Sequence, residues 1–251
     1  MEKVAVVTGT SSGIGFETAL ALAREGYYTY ATMRDTTKSD KIKELAKKEN
    51  LKIDILKLDV DDENSVKTAI QKILEQKQRI DVLVNNASTG IGEDRVPVMN
   101  LDNKEFMKVI KVKLFGAFYI TKLVARHMLD SQIDGSIINI SSTAGKSGNA
   151  NMAAYNAANF GLEGFSQALA KELASNNIRV NCVAPGPIQT ARLDKLDKNS
   201  LKKLQNTIPL KRIGKDYEVA DLIYFLASNK SKYISGPVSY THLTLPTILL
   251  V

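Results

Sequence analysis

"VAVVTGTSSGIG", residues 4–15, decides how this chain folds. Its first residues are apolar or β-branched without interruption, which suits a short strand buried on both faces. Gly9, Gly13 and Gly15 then permit a tight turn and a close approach of backbone to a ligand. A helix is expected over 13–25, and its N-terminus presents unbonded N–H groups and a positive dipole end to a pyrophosphate. Glycines alone say little. Placed between a strand and a helix, they read as a dinucleotide cradle.

Outward from this stretch the same alternation repeats. The runs "YYTYATM" (27–33), "LKIDILKLDV" (51–60), "IDVLVNNA" (80–87), "GSIINISS" (135–142) and "IRVNCVAPG" (178–186) read as strands. Helical patterns over 38–49, 63–77, 102–129 and 154–175 separate them. Repeated β-α-β units imply an α/β fold whose parallel sheet is covered by helices on both faces. Right-handed crossovers make it a doubly wound, Rossmann-type sheet in a single domain, residues 1–236.

The chain has 251 residues, 44% hydrophobic and 24% charged, an ordinary globular balance for one large domain. A net charge of +7 is spread over helical segments and mixed with acids, which predicts a solvated surface and no nucleic-acid partner. The single cysteine, Cys182, lies in an apolar run and is expected to be buried and inert. No apolar stretch approaches the roughly 20 residues that span a bilayer. The chain enters its first strand too soon to leave room for a signal peptide, so a soluble cytoplasmic protein without a membrane partner is expected. No His/Cys/Asp cluster suggests a metal. Residues 237–251, "PVSYTHLTLPTILLV", carry Pro237 and Pro246 where a last strand is expected, and read as a non-native tail.

The spacing G-x-x-x-G-x-G at Gly9, Gly13 and Gly15 is joined, in order, by "NNA" (85–87), "SS" (141–142), Tyr155 and "PGPIQT" (185–190). Together they resemble the short-chain dehydrogenase/reductase family, 3-oxoacyl-carrier-protein reductases among it. The resemblance runs from residue 3 to about residue 236. It implies an oxidoreductase that moves a hydride between a nicotinamide cofactor and a small-molecule alcohol or carbonyl, in a homodimer or homotetramer. Cofactor contacts are implied at Gly9, Ser11, Ser12, Gly13, Ile14, Gly15, Asp59, Val60, Asn86, Ala87, Pro185, Gly186, Ile188 and Thr190. Relatives usually have glycine where Ser88 stands. After the second strand, the position of the acid that would bind the ribose of NAD holds Met33, and Arg34 follows it. A guanidinium there favours NADP over NAD, with Asp35 as a counter-charge.

By the same resemblance Ser142 holds the substrate carbonyl and Tyr155 passes the proton. Two positions depart from the family pattern. Lysine is usual where Asn159 stands, and there the resemblance gives it a hydrogen bond to the nicotinamide ribose and the place of a cation near the tyrosine. A catalytic asparagine is usual where Lys113 stands. Three accounts of this exchange stay open. One ammonium is retained from the other helix; the site is a catalytically silent NADP-binding one; or the sequence carries an error at one or both positions.

Overall fold

The computed structural model describes residues 2–90, 92–190, 193 and 197–241. Six strands follow the sequence pattern: β1 (Val4–Thr8), β2 (Tyr28–Met33), β3 (Ile53–Lys57), β4 (Val82–Asn85), β5 (Ser136–Ile140) and β6 (Arg179–Ala184). They form a parallel sheet in the order β3-β2-β1-β4-β5-β6. A seventh parallel strand, Val238–Tyr240, pairs with β6 and is numbered β9 because two short strands precede it. Pro237 stands just before that strand, so the ladder loses no N–H to it, and its carbonyl accepts from Cys182. Residues 242–251, most of the suspected tail, lie outside the described residues.

β1 shows why the sheet is covered on both sides. Its residues are all buried, Val4 and Val6 toward one face and Ala5 and Val7 toward the other. On the first face they join Ile73 of α3 (Glu63–Lys77) and Ile120 and Val124 of α5 (Gly116–Asp130). On the second they join Leu20 of α1 (Gly13–Arg24), Ile42 of α2 (Asp40–Lys48) and Ile223 of α8 (Asp216–Ala227). Cys182 is fully buried, and burial pushes its thiol pKa up to about 12, so it is an inert core residue.

The helical stretch expected over 102–129 is α4 (Asn103–Ile110), a π-helical turn at Lys111–Phe115, and then α5. The helix expected over 154–175 is α6 (Ala153–Leu173). The stretch between 186 and 215 holds the short strands β7 (Ile188–Gln189) and β8 (Gly214–Lys215), which pair with each other, and α7 (Lys198–Thr207). Among the described residues no helix is long and apolar enough to cross a membrane.

Candidate active site

The sheet reverses its strand order between β1 and β4, and the loops leaving their carboxyl ends meet there. Gly9 and Gly13 adopt φ of +70° and +61°, a region that favours glycine. A Cβ at residue 9 would stand 2.8 Å from the Ala87 backbone, and one at residue 15 would overlap the Asn86 amide. That amide donates to the carbonyls of Thr8 (2.9 Å) and Gly9 (3.0 Å). Thr8 Oγ1 in return accepts from the N–H groups of Asn86 and Ala87, both at 3.0 Å. Asn86, read from the sequence as a cofactor wall, therefore also clamps the glycine turn to β4.

Ser12 precedes α1 in extended conformation and makes no side-chain cap, so the N–H groups of the first turn are left to another acceptor. Ser11 and Ser12 are exposed, Ile14 half-buried. The methyl of Thr190 would lie 3.2 Å from a Cβ on Gly13, which brings the loop carrying Pro185, Gly186, Ile188 and Thr190 over the turn. A cradle that only glycine can line, above an uncapped helix start, fits a pyrophosphate.

Met33 ends β2 buried, and Arg34 beyond it is exposed. Asp35 does not compete for Arg34. Its carboxylate accepts from Thr37 N (3.1 Å) and Thr37 Oγ1 (2.6 Å) and lies 3.7 Å from Lys38 Nζ. The Thr37 hydrogen bonds, aided by Lys38, hold its pKa below the usual carboxylate value. Asp59 follows β3, accepts from Asp61 N, and donates its own N–H to Ser65 Oγ. Val60 is buried against Gly116, where a Cβ would stand 2.8 Å away.

Ser142 leaves β5, and its Oγ accepts from Ala144 N at 3.2 Å in a short 3-10 turn. Thr143 N donates to Pro185 O at 3.1 Å and ties this turn to the loop that follows β6. Tyr155 is half-buried near the start of α6, packed with Val109 of α4 and with Ala158. Asn159 is fully buried one turn on, and its Nδ2 donates to Tyr155 O at 2.8 Å. Its Oδ1 is buried with no hydrogen-bond partner among the described residues. An orphaned acceptor at that place fits a ribose hydroxyl, a role the resemblance gives to the lysine. Lys113 is buried in the π turn, which packs on α6 through Leu114 and Gly161. Its charge reaches Cys182 of β6, where it favours the thiolate against the effect of burial.

Two residues near this site carry no motif. Glu163 is buried on α6 at the 155–159–163 spacing of four, accepting from Ser141 Oγ (2.7 Å) and Tyr240 OH (3.1 Å). Burial raises its pKa against those two hydrogen bonds. The spacing was a readable signal for it. Arg95, in the loop after β4, places its guanidinium carbon 4.2 Å from the centre of the Tyr155 ring. No periodicity or motif marks Arg95. Among the described residues no group of three or more His, Cys, Asp or Glu could hold a metal.

Comparison with known proteins agrees with this geometry. A family profile described as enoyl-(acyl carrier protein) reductase matches residues 9–242. The 3-oxoacyl-[acyl-carrier-protein] reductase FabG of Thermotoga maritima is 40% identical over 236 residues, 94% of each chain. The FabG of Staphylococcus epidermidis strain RP62A is 39% identical over 239 residues, 94% of this chain and 96% of its own. Among solved structures, an actinorhodin polyketide ketoreductase variant with NADPH superposes with a TM-score of 0.89 at 28% identity, covering 96% of both chains. The chain thus belongs to the short-chain dehydrogenase/reductase family of NAD(P)-dependent oxidoreductases, in its 3-oxoacyl-carrier-protein reductase-like branch.

Proposed function

We propose that this protein reduces the ketone of a 3-oxoacyl thioester with NADPH, and that Tyr155 supplies the proton. The observation that carries the reading is Tyr155 on α6, one turn before Asn159 with its buried, unpartnered Oδ1, in a helix that packs on the turn following Ser142. NADPH, when bound, supplies the hydride that reduces the carbonyl carbon. Its pyrophosphate is held by the N–H groups at Gly13–Gly15 and by Ser11 and Ser12, its 2′-phosphate by Arg34, and its adenosine by Asp59, Val60, Asn86 and Ala87. Pro185, Gly186, Ile188 and Thr190 would hold the nicotinamide half, and Asn159 Oδ1 would accept from a ribose hydroxyl.

On the substrate side, Ser142 Oγ holds the ketone oxygen. As that oxygen gains negative charge, Tyr155 gives up its phenolic proton to it. One O–H bond breaks on the tyrosine, one forms on the product alcohol, and the negative charge is left on the phenolate. Lys113 keeps an ammonium beneath this pair in place of the lysine usual at 159. Exposed Phe115 and Phe118, with Phe118 edge-on to Phe165, and exposed Phe160 are the apolar residues offered to the face by which two or four copies assemble.

Incubating the protein with acetoacetyl-coenzyme A and NADPH tests the substrate class. We expect the 3-hydroxyacyl thioester as product, formed faster than the alcohols of simple ketones such as cyclohexanone. Equal turnover of simple ketones would remove the thioester from the assignment. Bound NADPH with no turnover of any ketone would favour the silent binder, the reading that the missing lysine at 159 supports.

A further inference from the structure

We infer that Arg95 is a positioning residue for the proton transfer: its guanidinium, stacked on the ring of Tyr155, stabilises the phenolate that the reaction leaves behind. The inference rests on the proposed role of Tyr155. It supplies a positive charge at the ring in addition to the ammonium proposed for Lys113.

The geometry is specific. The guanidinium carbon sits 4.2 Å from the ring centre, well within cation–π range. The side chain is 20% exposed, and two of its donors, Nε and Nη1, are buried without a hydrogen-bond partner among the described residues. A guanidinium gives up water only where something else favours its charge. Two things do so here: the π face of Tyr155 and the carboxylate of Asp94. Asp94 is buried, takes Gly92 N at 3.3 Å on Oδ1, and holds Oδ2 3.3 Å from Arg95 Nε. That second approach is an ionic contact without hydrogen-bond alignment. Asp94 thus fixes the position of the cation without binding its donors.

The consequence for the reaction follows from where charge develops. Before proton transfer the ring is a neutral phenol whose quadrupole attracts the cation weakly. Afterwards it is an anion, and the same contact becomes a charge–charge attraction between two partly buried groups. An interaction stronger after the proton leaves than before it lowers the barrier rather than merely tightening binding. A salt bridge that only stapled the loop would need neither the Tyr155 ring nor a pair of buried unbonded donors.

The test compares wild type, Arg95→Ala, Arg95→Lys and Arg95→Met in acetoacetyl-coenzyme A reduction, with NADPH affinity measured separately by fluorescence titration. Arg95→Ala is expected to lower kcat about 3- to 30-fold, the span of a partly desolvated cation–π contact, with KM and NADPH affinity within about twofold of wild type. Arg95→Lys should recover most of that loss, and added guanidinium ion should raise the rate of Arg95→Ala but not that of wild type. Arg95→Met keeps the apolar stem, so it reads the loss of charge if the alanine variant does not fold. An unchanged kcat in both Arg95→Ala and Arg95→Met overturns the inference while leaving the proposed function standing. So does a loss that neither lysine nor guanidinium repairs, because that loss is structural. A wild type that binds NADPH and reduces no ketone overturns the proposed function, and the role of Arg95 with it.

Discussion

At the scale of single residues, the exchange at positions 113 and 159 and the charge at 34 are the features on which the proposed function is most open to test. Arg34 is exposed beyond β2, while Asp35 is turned onto Thr37 and Lys38, so the guanidinium is free to meet a 2′-phosphate. Arg34→Ala is therefore expected to weaken NADPH binding by roughly 1.5–3 kcal/mol, the range of a charge-assisted hydrogen bond, and to leave NADH nearly unchanged. Fluorescence titration of both cofactors measures it, and equal losses for the two would refute the assignment. At 113 and 159 a double-mutant cycle separates the accounts. Lys113→Asn with Asn159→Lys should raise ketone reduction above wild type, and Asn159→Lys alone should gain less, because it adds a second cation near a buried one. An unchanged rate in Lys113→Asn would mean that Lys113 takes no part in the chemistry.

At the scale of elements, the glycine turn and α6 carry the argument. Gly15→Ala would drive a methyl into the Asn86 amide and to 2.5 Å from Gly9 O, breaking the hydrogen bonds that tie the turn to β4. Leaving such buried groups unpaired costs about 1–3 kcal/mol, so both thermal stability and NADPH affinity should fall together. A variant with wild-type affinity would show that the clamp is dispensable. On α6, Glu163 favours its protonated form in the folded protein because burial opposes its charge. Ionising it therefore costs stability: nothing below the ordinary carboxylate value, and the full amount above the raised one. Glu163→Gln should match wild type in acid and become relatively more stable as pH rises through that window, read by urea unfolding at a series of pH values. A difference independent of pH would contradict this.

The same scale shows what was legible. β1 to β6 were readable as short apolar runs set between helical patterns, and α3 as a helical pattern over 63–77; the structure adds the Asp62 cap at its start. The π turn at Lys111–Phe115 was not, since one extra residue per turn leaves an apolar pattern looking helical. β7, β8 and β9 have two or three residues each, too few to alternate. The family motifs were legible in the sequence as an ordered set, but Arg95 reaches Tyr155 through a loop whose path no local pattern encodes.

At the scale of the whole molecule, the last strand and the central chemistry are open to test. A catalytic domain of residues 1–236 followed by a foreign tail is the proposal that the sequence suggests, and deletions test it. β9 nonetheless completes the sheet edge, and Thr241 Oγ1 accepts from Gly186 N at 3.0 Å. Removing residues 242–251 is expected to change neither melting temperature nor NADPH affinity. Removing 237–251 should lower the melting temperature, since it bares the edge of β6, while Tyr155 chemistry survives at lower temperature. A loss of NADPH binding in the shorter deletion would mark the end of the chain as part of the site. The central claim is that this protein, with asparagine at 159, still reduces a ketone through Tyr155. A single-turnover experiment tests it most directly: enzyme in excess, NADPH and acetoacetyl-coenzyme A are mixed, and nicotinamide absorbance is followed in wild type and in Tyr155→Phe. We expect wild type to consume NADPH in equal amount to the hydroxyacyl thioester formed, and Tyr155→Phe to bind NADPH but consume almost none. Equal consumption by the two proteins, or none by wild type with NADPH bound, would contradict the account.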